Sequence, residues 1–133
     1  MIDVHVEYLD KRIQARRKSN KRAIQMQFAE GYTHDEFIKD YSSCVFTNLI
    51  KDTFTSSYMK KFPCSDCGKP STDRCHGVGE DRRLLIKRAL EKVWPDMTKS
   101  NSIKEVEIAF LEEHKITKFT FKCRQCHLKE PKR

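Results

Sequence analysis

The chain has 133 residues, 35% of them charged and 38% hydrophobic, with a formal net charge of +8. That length fits one domain with a helical extension and supports only a modest core. The pI of about 9.2 favours polyanionic partners, DNA, RNA or an acidic membrane surface, while a mean hydropathy of −0.74 and the lack of any long apolar run exclude a membrane span; the expected partner is DNA and no membrane.

In chain order, Asp10 to Glu30 reads as a helix closed by Gly31. Its apolar positions are sparse (Ile13, Ala23, Ile24, Phe28), whereas Lys11, Arg12, Arg16, Arg17, Lys18, Lys21 and Arg22 crowd it with cations. Such a helix either lies along phosphates or is simply solvated. Thr33-x-x-Glu36 is a capping-box signature opening a helical pattern through Phe37, Ile38, Tyr41, Val45 and Leu49. A second stripe, Phe46, Ile50, Phe54 and Tyr58, predicts a helix packed on two sides or two successive helices, with the break at Thr53 to Ser57. Cys44 falls in this region and reads as a small buried hydrophobe.

From Phe62 the character changes. Pro63-Cys64-Ser65-Asp66-Cys67-Gly68-Lys69-Pro70 reads as a metal knuckle, bracketed by proline and glycine. Ser71 to Gly79 is expected to be an extended segment and turn. Arg82 to Trp94 reads as a helix with Leu85, Ile86, Ala89, Leu90 and Val93 inward, stopped by Pro95. Ser102-x-x-Glu105 caps a further helix through Ile103, Val106, Ala109 and Phe110. Ile116 to Phe121 predicts a short strand delivering Cys123, and Arg124 to Glu130 a short final helix. His5, His34 and His114 have no partner at ligand spacing and are expected at the surface.

Two Cys-x-x-Cys pairs, Cys64/Cys67 and Cys123/Cys126, supply four thiolates, the set that tetrahedral zinc prefers. No apolar leader opens the chain, since Met1 to Asp10 is mixed and Lys11 onward basic. The pairs therefore read as zinc ligands rather than disulfides, and the expected setting is an intracellular, reducing compartment, cytoplasm or nucleus. Two alternative donor sets stay open, one with Cys75 replacing a cysteine of the four and one with His127 completing a Cys₃His site. Gly77-Val78-Gly79 allows close backbone approach to a phosphate, but it is too short for a P-loop.

Cys-x-x-Cys-Gly, a His-bearing turn at Asp73-Arg74-Cys75-His76, then Cys-x-x-Cys-His resembles the layout of zinc-stapled HNH endonucleases, the ββα-metal or His-Me finger nucleases. The resemblance covers Pro63 to Lys129, less the stretch from Asp81 to Lys115. It implies an α+β, mostly helical chain. Residues 1–61 would form a basic helical N-terminal region, and 62–133 a zinc-stapled HNH-like core with a helical insertion at 81–115. By the same resemblance His76 takes the place of the general base. Its ordinary pKa near 6.5 suits proton abstraction at neutral pH. His127 takes the place of the ligand to a catalytic divalent metal, Mg²⁺ or Mn²⁺, while Cys64, Cys67, Cys123 and Cys126 match the structural zinc.

The chain departs from the family pattern at two points. Cys75 stands where an acid usually precedes the base, and a thiolate suits a hard ion poorly. Asp73, or Glu80 after the turn, is the candidate replacement. The residue that usually precedes the second cysteine pair has no clear counterpart, with Thr117 or Lys118 near that slot.

The resulting expectation is a metal-dependent endonuclease acting on double-stranded DNA, gripped by Lys11, Arg12, Arg16, Arg17, Arg82 and Arg83. Two alternatives stand beside it, a non-catalytic zinc protein that binds nucleic acid and a zinc-stapled structural or interaction protein.

Overall fold

The first helix, α1, spans Val4–Lys18 and buries Leu9 and Ile13, one turn apart on one face. Its last turn carries Arg16, Arg17 and Lys18, where cations complement the helix dipole. The structure, a computed structural model, describes residues 4–21, 24–76, 81–99, 101–116 and 119–129, with the backbone only at 4, 75, 76 and 119.

The helix expected from Asp10 to Glu30 is thus shifted and shorter. It stops where the Ser19 hydroxyl accepts the Lys21 N–H at 3.1 Å, a local bond that competes with helix continuation. From residue 24 to Thr33 the chain is not helical. Gln25 bridges Ser102, Met26 N–H donates to Asn101 O at 3.2 Å, and Ile103 N–H donates to Ile24 O at 3.1 Å. Phe28 then stacks on Tyr32 and meets Phe37 and Trp94 edge-on.

The next apolar stretch folds into three helices, α2 (His34–Tyr41), α3 (Val45–Thr53) and α4 (Ser56–Met59). The break expected near Thr53 is present, and a second lies at Ser42 to Cys44. Thr33 caps α2 by accepting the Glu36 N–H at 3.2 Å, and Thr55 caps α4 by accepting that of Tyr58 at 3.2 Å. Cys44 is exposed, not buried as expected. It occupies the break, and its thiol donates to Asp40 O at 3.4 Å.

After β1 (Asp73–His76) come α5 (Arg82–Val93), a single 3₁₀ turn at Met97–Lys99, and α6 (Ile103–Ile116). The chain ends with β2 (Phe119–Lys122) and α7 (Arg124–Leu128). Two helices therefore separate the cysteine pairs. The chain is mostly helical, with a small antiparallel sheet in which Asp73 faces Lys122, Arg74 Phe121, Cys75 Thr120, and His76 Phe119.

The core is built where α6 packs on both α5 and α1 and α2 packs on α5. Trp94, Phe37, Phe46, Phe54 and Phe110 are its largest fully buried side chains, each contributing roughly 1.5–3 kcal/mol of burial. Residues on both sides of position 62 share this core.

The α1–α6 contact also carries ion pairs. Arg16 meets Glu107, which is 1% exposed, Arg17 meets Glu112 at 2.5 Å, and Lys115 meets Asp10 at 2.6 Å.

Of the histidines expected at the surface, one is buried and two are half-buried. His114 is buried, with Nδ1 2.9 Å from Phe110 O. His5 lies among Tyr58, Phe62 and Phe121, and His34 Nε2 lies 2.7 Å from Trp94 O. A histidine ring on an otherwise apolar face is buried once its nitrogen finds a partner. Among the described residues no helix is long and apolar enough to cross a membrane.

Candidate metal centre

The knuckle closes through Cys64 N–H to Lys69 O at 2.6 Å and Gly68 N–H to Cys64 O at 3.0 Å. Gly68 adopts φ +79°, a left-handed conformation that costs glycine nothing. Pro63 bridges Pro70. The knuckle docks on the sheet, because Ser65 N–H donates to Phe121 O at 3.1 Å and Thr72 N–H to Lys122 O at 3.0 Å. Lys122 Nζ also reaches Asp66 Oδ2 at 3.1 Å. Behind it, the Ser71 hydroxyl sits 2.7 Å from Met59 O and 2.8 Å from Phe62 O.

On the other side β2 runs directly into Cys123, which stands in extended conformation before α7. One turn of helix then returns Cys126 to the same point. The sulfurs of Cys64, Cys67, Cys123 and Cys126 all lie within 4.8 Å of one another, with Cys67 and Cys123 3.6 Å apart. Four sulfurs at 2.3 Å around a tetrahedral ion are about 3.8 Å apart. The cluster thus fits a metal such as zinc with small adjustments, and it joins segments 56 residues apart.

The thiols are prepared unequally. Burial pushes Cys64 up, but backbone hydrogen bonds at Cys123, Asp66 and Cys67 outweigh it and lower the thiol to about 6. The Asp66 N–H is one of these donors, 3.4 Å from the sulfur. The Cys126 backbone holds Cys123 below the ordinary thiol range, against burial. Cys126 is pushed up to about 12, first by the Cys123 sulfur, then by that of Cys67, then by burial. Adding negative charge to an anionic cluster is costly, and a cation at its centre removes that cost.

His127 does not belong to this donor set. Its Nδ1 lies 2.8 Å from Asp73 Oδ2, and α7 packs against β1. An ionised carboxylate only accepts, so Nδ1 carries the proton, and in the neutral ring the lone pair is the one on Nε2. Asp73 Oδ1 accepts the Thr72 hydroxyl at 3.1 Å. The two residues expected to share a divalent ion are thus brought together from positions 54 apart, both part-buried.

His76 and Cys75 occupy the same strand by backbone. Their side chains lie outside the described residues, as do Gly77, Val78, Gly79, Glu80, Thr117 and Lys118 entirely.

The arginines expected to grip phosphates are mostly engaged within the chain. Arg12 donates to Asp52 O at 2.8 Å, Arg16 and Arg17 pair with Glu107 and Glu112, and Arg82 donates to Thr47 Oγ1 at 2.6 Å. Lys11 and Arg83 are exposed. Lys69 and Arg124, also exposed, flank the metal cluster and were not among the expected contacts. Arg124 stands three residues before His127, a spacing that marks one helical face.

Comparison with protein-family models, with curated proteins and with solved structures gives no match.

Proposed function

We propose that the protein is a zinc-stapled, metal-dependent endonuclease that hydrolyses phosphodiester bonds in DNA. The observation that carries this reading is the Asp73–His127 pair, joined at 2.8 Å beside a four-cysteine cluster and on the strand that ends at His76. The resemblance of the cysteine and histidine spacing to HNH nucleases supports it, as does the net charge of +8.

In this reading zinc in the cysteine cluster cross-links the knuckle to α7 and fixes where His127 stands. Asp73 holds His127 in one tautomer, as carboxylates commonly do for metal-ligating histidines. This leaves Nε2, on the far side of the ring from the carboxylate, as the imidazole donor for a divalent ion, with Asp73 acting through His127 rather than as a second ligand. Mn²⁺ or Mg²⁺ there would keep water in its other positions. When bound, that ion supplies charge neutralisation at the phosphate. His76 takes the proton of the attacking water.

The test is plasmid nicking with Mg²⁺ or Mn²⁺, comparing wild type with His76→Ala and His127→Ala. Cleavage by wild type and loss in both variants supports the reading. Zinc-loaded protein that binds DNA but nicks nothing under either ion would sink it. That outcome would favour a non-catalytic nucleic-acid-binding protein, for which Cys75 in place of the acid before His76 is the specific sign.

A further inference from the structure

The basic helix α1 attracts the first guess for a nucleic-acid surface, but its cations largely stitch it to the rest of the fold. Arg16 and Arg17 pair with Glu107 and Glu112 on α6, Arg12 donates to the Asp52 carbonyl, and Lys104 Nζ closes on Arg17 O at 3.2 Å. A side chain held in this way offers a phosphate only the N–H groups that its partner leaves over.

The short helix α7 shows the opposite pattern. Arg124, His127 and Leu128 follow i, i+3, i+4 spacing and so share one face. Arg124 is exposed, the His127 side chain is 40% exposed, and Leu128 is 72% exposed. Lys69, on the knuckle that the cysteine cluster joins to α7, is exposed as well. Among the described residues neither Lys69 nor Arg124 has an ion-pair partner. The one acid of the knuckle, Asp66, is already matched by Lys122.

From this arrangement we infer that the exposed face of α7, together with Lys69 of the adjoining knuckle, is the surface that docks duplex DNA. Arg124 and Lys69 take backbone phosphates, and Leu128 packs against sugar and base edges in the groove. The occupant follows from complementarity. Two exposed cations and one exposed leucine fit a ligand that is anionic along its backbone and apolar between its phosphates. Apolar side chains inserted at base steps are a recurrent device of groove binders. This rests on the nucleic-acid partner of the function proposed above and adds the surface that holds it.

The two kinds of contact leave different signatures. Each phosphate neutralised adds about 0.9 to the slope of log K against log salt, whereas an apolar contact adds nothing to it. Binding of the zinc-loaded full chain to a short duplex DNA, without added Mg²⁺ or Mn²⁺, is measured by fluorescence anisotropy across a salt series. Lys69→Gln/Arg124→Gln is expected to lower the slope by about 1.8. Leu128→Ser is expected to weaken binding severalfold at unchanged slope, and Lys18→Gln on α1 to change neither. A slope that falls for the α1 variant and not for the α7 variant overturns the inference. So does a reduced zinc affinity of the Lys69/Arg124 variant at unchanged DNA slope, which would make these cations counter-charges of the thiolates. Because no cleavage is needed, binding as expected without nicking would overturn only the nuclease reading, and nicking with unaffected slopes only the docking surface.

Discussion

Asp73 and His127 lie 54 positions apart in the chain, yet Oδ2 of one and Nδ1 of the other are 2.8 Å apart. The bond crosses from β1 to α7, which pack against each other beside the cysteine cluster. A carboxylate here sets which imidazole nitrogen keeps its lone pair. Replacing Asp73 with Asn frees that choice without removing the side chain. If the protein is the nuclease proposed above, Asp73→Asn is expected to lower divalent-metal affinity and cleavage by about 10–100-fold, and His127→Ala to abolish both, with zinc content unchanged. Mn²⁺ titration followed by electron paramagnetic resonance checks this, and equal Mn²⁺ binding by wild type and Asp73→Asn would contradict it.

Zinc uptake has a pH dependence set by two cysteines. In the metal-free protein Cys64, lowered to about 6, is a thiolate at neutral pH. Cys126, pushed up to about 12, is a thiol there. Zinc binding at neutral pH therefore expels the Cys126 proton while Cys64 releases little. The depressed Cys64 value stabilises the folded chain above its ordinary thiol range, and this stabilisation is lost as pH falls through about 6. Below that point Cys64 must also lose a proton to bind metal, so zinc affinity falls by a further factor of about 10 per pH unit. A competition titration against a chromophoric chelator from acid to neutral pH measures the change in slope. A slope that stays constant through this range would count against it.

The two arginines at the end of α1 separate buried from exposed ion pairing. Arg16 meets a carboxylate that is 1% exposed, whereas Arg17 and Glu112 are 51% and 33% exposed. Arg16→Ala is expected to cost about 3 kcal/mol of stability, and Arg17→Ala less than about 1 kcal/mol. Urea denaturation of the zinc-loaded protein discriminates them. Equal losses would mean that the Glu107 carboxylate does not depend on Arg16.

Gly68 tests the knuckle itself. A Cβ at this position meets nothing within 4 Å, so the cost of Gly68→Ala is entirely that of φ +79°. About 1 kcal/mol is expected, read as weaker zinc affinity because the turn that aims Cys64 and Cys67 resists closure. An unchanged zinc affinity would mean that the turn relaxes freely.

The local features were legible in the residues themselves. The cysteine pairs, the capping threonine of α2, the helix from Arg82 stopped before Pro95, and the strand leading into Cys123 all depend on near neighbours, and each is present. The α1 boundary and the buried His114 were not legible, for a shared reason. Leu9 and Ile13 become a core stripe only once α6 lies against them. Met26 and Phe28 are drawn into non-helical chain by pairing with Asn101 and packing on Trp94. Nothing within a few residues records those contacts.

The cysteine spacing by itself marked two thiolate pairs as candidate metal ligands, because a two-residue spacer lets one turn aim both sulfurs of a pair at one point. Tertiary structure alone decided the rest of the site. It bonded His127 to Asp73 rather than adding it to the metal cluster, and it committed the arginines of α1 to acids and carbonyls within the chain. Hydrogen bonds and ion pairs reach only a few ångströms, so the partner of such a side chain is set by which elements pack together, and that packing is a property of the whole core.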